Sequence, residues 1–152
     1  MKVIKTIYIL FATVLLSASC ELEETDKFDY INQSNHGVFF YEANTNAGIV
    51  YPDTSITLNR NLLSVIAPYT TLSTGGFRSS KETFSELPTD TLSVYFFHPE
   101  VIESSTFESL RLNYRVLKRY DLSYKDFLML NKEVIYPPTP AMANIQQLPS
   151  YP

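Results

Sequence analysis

The chain has one cysteine, Cys20, and its position constrains everything downstream. Ahead of it stands a short basic stretch, Met1 to Lys5, with Lys2 and Lys5. An uncharged, mostly apolar run from Thr6 to Leu16 follows, and then the small residues Ser17, Ala18 and Ser19. That three-part layout is the layout of an export signal. The uncharged run is shorter than the roughly 20 apolar residues a membrane-spanning helix needs. Residues 1–19 are therefore read as a leader and excluded from the fold. With a single thiol no intramolecular disulfide can form.

Small residues ahead of a cysteine at the end of an apolar segment resemble the lipobox of bacterial lipoproteins. The resemblance implies a diacylglycerol on the Cys20 thiol and cleavage before it. Ser17 stands where that motif usually has Leu, which leaves ordinary signal-peptidase cleavage between Ser19 and Cys20 open. Glu21, Glu23, Glu24 and Asp26 come next. Such an acidic run resembles the surface-export tether of lipoproteins from Bacteroidota; physically it is also a solvated linker. These likenesses imply an outer-membrane location, with the protein held to the membrane through its N-terminal lipid and exposed at the cell surface or facing the periplasm.

Removing the leader takes away Lys2 and Lys5 and no acid. Ten basic residues then face sixteen acidic ones, a formal charge of −6 on 133 residues. That length suits one domain with a core of its own. The charge argues against nucleic acid as a partner, since nucleic-acid binding needs a basic footprint. Many Tyr and Phe, with no Trp and four Gly, favour strands.

Residues 20–35 read as a flexible tether, 36–138 as a single globular domain and 139–152 as a proline-rich tail. The first strand is predicted at Val38–Ala43, and a short one at Ile49–Tyr51 stops at Pro52-Asp53. Leu62 to Ile66 continues apolar. Ser73 to Ser80 reads as a loop around Gly75-Gly76, and Lys81 to Leu87 suits a short helix or a strand. Thr91–His98 is the clearest strand. Leu92, Val94 and Phe96 alternate against Ser93, Tyr95 and Phe97, a pattern for a strand covered on both faces. Ser105 with Glu108 fits a capping box for a helix with Phe107, Leu110 and Tyr114 on one side. A strand is favoured over Arg115–Tyr120. Ser123 with Asp126 predicts a second capped helix through Leu130, and Glu133–Tyr136 a last strand before Pro137-Pro138. The expected class is α+β: a small antiparallel sheet with two short helices in the C-terminal half.

Asn113-Tyr114, Leu117 through Ser123, Leu130-Asn131, Tyr136-Pro137-Pro138 and Met142 resemble a group of small lipoproteins of Bacteroidota whose activity is uncharacterised. The resemblance implies location and no activity.

The search for chemistry is short. Two histidines, His36 and His98, show no metal-ligand spacing, and the cysteine is committed to the N-terminus; no metal and no cofactor is expected. Ser73-Thr74-Gly75-Gly76 lacks a nucleophile elbow and a phosphate-loop spacing. Nothing marks a catalytic residue, so a non-enzymatic binding or accessory module, with an envelope protein as partner, is expected. A toxin-neutralising or inhibitor-type lipoprotein is the alternative, and a hydrolase with an unrecognised site the third reading. Arg111, Arg115, Lys118 and Arg119 form the one basic cluster, a candidate docking patch for an acidic partner or lipopolysaccharide phosphate, or else a solvated face balanced by Glu108, Asp121 and Asp126.

Overall fold

Lys27 to Asn32 alternates polar and apolar residues, and alternation decides what it becomes: Phe28, Tyr30 and Asn32 point inward and are buried, in a strand, β1 (Lys27–Asn32). A computed structural model describes residues 27–43, 51, 63–75, 79–106, 109–110, 113 and 115–151. After β1 come β2 (Val38–Ala43), β3 (Ser64–Ile66) and β4 (Thr70–Gly75). Then follow α1 (Ser80–Ser85), β5 (Thr91–Phe97), α2 (Pro99–Ser104), β6 (Lys118–Ser123) and α3 (Tyr124–Met129). β7 (Glu133–Tyr136), a 3-10 turn (Pro140–Met142) and β8 (Gln146–Leu148) end the order.

The strands form two sheets. The smaller runs β4-β1-β7, with β1 antiparallel to β4 and parallel to β7. The larger runs β3-β2-β5-β6-β8 and is antiparallel throughout. Facing residues of both sheets share one core: Phe28, Tyr30 and Val134 from the smaller, and Phe40, Val94, Phe96, Tyr120 and Leu122 from the larger. Phe84 of α1 and Phe127 of α3 close its end, Phe127 stacking on Phe28 with ring centroids 4.5 Å apart. The other face of the larger sheet carries a second cluster, Tyr41, Ala43, Tyr95 and Phe97 under Ile102 and Leu110. β5 is thus covered on both sides, as its sequence predicts.

The class is α+β with helices in the C-terminal half, but the described residues hold three α-helices, not two. Neither α1, capped by a Ser79–Glu82 box, nor α2, opened by His98 and Pro99, is one of the two expected helices; α3 is, and Ser109, Leu110 and Asn113 are helical within the stretch of the other. Ser105 closes α2 as its C-cap, and the hydroxyl that accepts from the Ser109 N–H is that of Thr106, at 3.3 Å. Phe107, Glu108 and Tyr114 lie outside the described residues, as does the strand expected at Ile49–Tyr51 except for Tyr51. The strand expected at Arg115–Tyr120 lies three residues later, and β4 takes the first part of the stretch expected to be a loop.

Both domain boundaries move. Residues 27–35, read as tether, build β1 and the corner after it. The polar residues that suggested a linker are internal: Asn32 is buried, and its Nδ2 donates to the His36, Ile66 and Ala67 carbonyls at 2.7, 3.1 and 3.1 Å. Its Oδ1 accepts from the Ser34 N–H and hydroxyl. The tail read from residue 139 buries Met142 and Ile145 and adds β8 to the edge of the larger sheet.

Candidate binding edge

β4 is the outer strand of the smaller sheet, paired with β1 without a bulge from Lys27↔Gly75 to Asn32↔Thr70. The Asp29 N–H donates to the Lys132 carbonyl beside β7, and the Gln33 N–H to Tyr136, so odd-numbered residues of β1 point their backbone toward β7. Even-numbered ones point toward β4, and their partners Thr70, Leu72 and Thr74 point back. The backbone N–H and C=O groups of Thr71, Ser73 and Gly75 therefore face outward. Thr71, Ser73 and Gly75 are exposed, whereas Leu72 and Thr74 are half-buried. Native edges are ordinarily blunted by Lys, Pro or a bulge. Thr-Thr-Leu-Ser-Thr-Gly carries no charge and no proline.

The turn that carries the chain from β3 into β4 is part of this edge. Tyr69 holds a left-handed φ of 55° there and is 71% exposed. Such a conformation is uncommon for a bulky residue.

Behind β4, between the sheets, lies a polar group of three. Tyr30 is fully buried, and its hydroxyl faces Glu42 and Thr74 without closing a hydrogen bond of ordinary length to either. Glu42 stands on β2 opposite Val94, on the inward face with Val38 and Phe40. Among the described residues β3 pairs with Val38–Phe40, and Glu42 sits just past the end of that pairing. Burial pushes its carboxyl up to about 7, with the Tyr30 hydroxyl pulling the other way. Burial also drives the Tyr30 phenol well up, and the charge of Glu42 adds to it. The sequence held one sign of this site: an acid inside Val-Phe-Phe-Tyr-Glu-Ala breaks an otherwise apolar strand.

Two members of the basic cluster, Lys118 and Arg119, do not share a surface. Lys118 and Arg119 are consecutive on β6, so they leave opposite faces of the sheet, and both are buried. Lys118 donates to the Pro149 and Ser150 carbonyls, and burial pulls its ammonium below the usual value. Arg119 Nε donates to Asp121 Oδ1 at 2.7 Å, and the same oxygen accepts from Ser93 Oγ at 2.5 Å. Its guanidinium lies 5.5 Å from the centre of the Tyr95 ring and 5.8 Å from that of Tyr51. Arg115 is exposed, and Arg111 and Cys20 lie outside the described residues. Sequence adjacency does not put Lys118 and Arg119 in one patch, because a strand alternates.

The two histidines do meet, which their spacing did not indicate: the rings of His36 and His98 lie 5.2 Å apart. His98 caps α2 by accepting from the Glu100 N–H. Among the described residues no three of His, Cys, Asp and Glu gather in a way that could hold a metal ion. No family model matches the chain, and no curated protein or solved structure matches it.

Proposed function

We propose that the chain is exported, is anchored in the outer membrane through a lipid on Cys20, and works there as a binding module rather than a catalyst, with the β4 edge as its contact surface. The observation that carries the binding part is the unblunted row of backbone groups on Thr71, Ser73 and Gly75. An extended segment adds to such an edge through main-chain hydrogen bonds, with no cofactor and no catalytic group. The leader layout and the position of Cys20 support the anchoring part.

The test is affinity capture of the native protein from its own envelope, beside Thr71→Pro. The Thr71 N–H points away from β1, so proline there removes an outward donor and leaves the β1–β4 ladder whole. Wild type is expected to retain a partner that Thr71→Pro loses. Recovery of the same species with both proteins would take the β4 edge out of the reading.

A further inference from the structure

We propose that the β4 edge pairs with the β4 edge of a second copy of this chain, antiparallel, about a two-fold axis through Ser73. The inference rests on the β4 edge being a contact surface and names what occupies it.

The phase of the ladder selects the register. Only Thr71, Ser73 and Gly75 direct backbone groups outward, so these residues must meet one another across the axis. Two symmetric registers satisfy this. An axis through Leu72 pairs Thr71 with Ser73 and leaves Gly75 opposite Tyr69, which is already in the turn. An axis through Ser73 pairs Ser73 with itself and Thr71 with Gly75 in both directions. All three outward residues are then used, and about six hydrogen bonds form, two for each hydrogen-bonded pair. The register through Ser73 wins on that count. On the inward face it sets Leu72 against the second copy's Thr74, so the half-buried leucine gains cover.

Electrostatics leaves this partner open at the edge itself. The chain is acidic overall, with a formal charge of −4, and copies repel at long range. β4 itself is neutral. The nearest acid, Asp29, sits one strand behind Ser73 and accepts from its hydroxyl at 2.6 Å. Across the axis the two Asp29 carboxylates are separated by about three strand spacings, ~14 Å. That exceeds the screening length of about 8 Å at physiological salt. A foreign strand would be selected by side-chain pockets beside the edge. Thr71, Ser73 and Gly75 offer short, uncharged groups with little to read in another sequence, whereas a second copy supplies a ladder of matching length and phase. The product is an isologous dimer with a continuous β7-β1-β4-β4-β1-β7 sheet.

The exported chain carrying Cys20→Ser has no other thiol, which makes the test clean. Sedimentation equilibrium should show about twice the chain mass at high concentration and the single mass on dilution. Thr71→Pro in that background should stay at the single mass throughout, with an unchanged near-UV spectrum. Ser73→Cys should form a disulfide-linked dimer under mild oxidation, because its Cα atoms would lie about 5.5 Å apart across the axis, inside the range a disulfide spans. Thr74→Cys, whose counterpart is Leu72, should cross-link at least tenfold less. Should Thr71→Pro fail to fold, the cysteine pair alone decides. The single mass at every concentration, or equal cross-linking from positions 73 and 74, overturns the dimer. If that result comes with an envelope partner that Thr71→Pro loses, the occupant is a foreign strand and the binding reading stands. If no edge-dependent partner appears either, both fall.

Discussion

Glu42 occupies a position where the facing pattern of β2 calls for an alkyl chain, and it answers by holding its proton. Its carboxyl titrates near 7 in the fold, against about 4.3 in an unfolded chain. Between those values the native state binds more protons than the unfolded one, so this group's contribution is complete below about pH 4 and is lost as pH rises through 7. Denaturant titrations should show stability falling across that window by on the order of 1–3 kcal/mol, with the partial exposure of Glu42 keeping it below the full value. Glu42→Gln should flatten the slope and be the more stable protein at pH 8. A profile unchanged by the substitution would place the titration elsewhere. Arg119 and Asp121 make the opposite case, two charges buried together. Asp121→Ala removes the carboxylate paired with the buried guanidinium and should cost about 3–5 kcal/mol. Arg115→Ala, on an exposed residue, should change thermal stability by less than about 1 kcal/mol. Comparable losses for the two variants would contradict this assignment. A sequence shows nearby cations; that Lys118 meets backbone carbonyls and Arg119 a carboxylate depends on which face of β6 each leaves.

At the level of elements, strands dense in apolar residues were legible, β2 even with Glu42 on its inward face, and those with a weaker apolar signal were not. Val38–Ala43 and Glu133–Tyr136 form as the sequence predicts, and Thr91–His98 does so to within its last residue. α3 was legible for a different reason, since its cap is written in two residues. The Asp126 N–H donates to Ser123 Oγ at 3.2 Å, and the Ser123 N–H donates back to Asp126 Oδ2 at 3.0 Å. Ser123→Ala should cost about 1 kcal/mol in equilibrium unfolding, and a loss below about 0.3 kcal/mol would mean the box adds little to a helix already pinned by Phe127. β1 was missed because its third inward residue is Asn32, whose amide is satisfied only by a corner brought together from β3 and the β1–β2 connection. β8 was missed because three residues between prolines carry almost no periodic signal. The binding edge was the least legible feature: Thr70–Gly75 reads as a turn-rich stretch until β1 gives it a partner.

For the whole molecule, only six residues separate Cys20 from the first residue of β1. Fully extended, they span at most about 20 Å, so a lipid on Cys20 would hold the domain close against its membrane. Cys20→Ser should move the protein from the membrane to the soluble fraction on cell fractionation. A variant that sediments with membranes as wild type does would refute the anchor. The parallel pairing of β1 with β7 has its own outcome for a chain carried across a membrane N-terminus first. Asp29 waits for Glu133, so one side of the earliest strand stays open until most of the polypeptide has emerged. Native structure dominated by such distant partners assembles slowly, and in a chain exported as proposed the delay would serve the transit: the leading portion could not lock into its final shape and jam the channel while the trailing portion is still behind it.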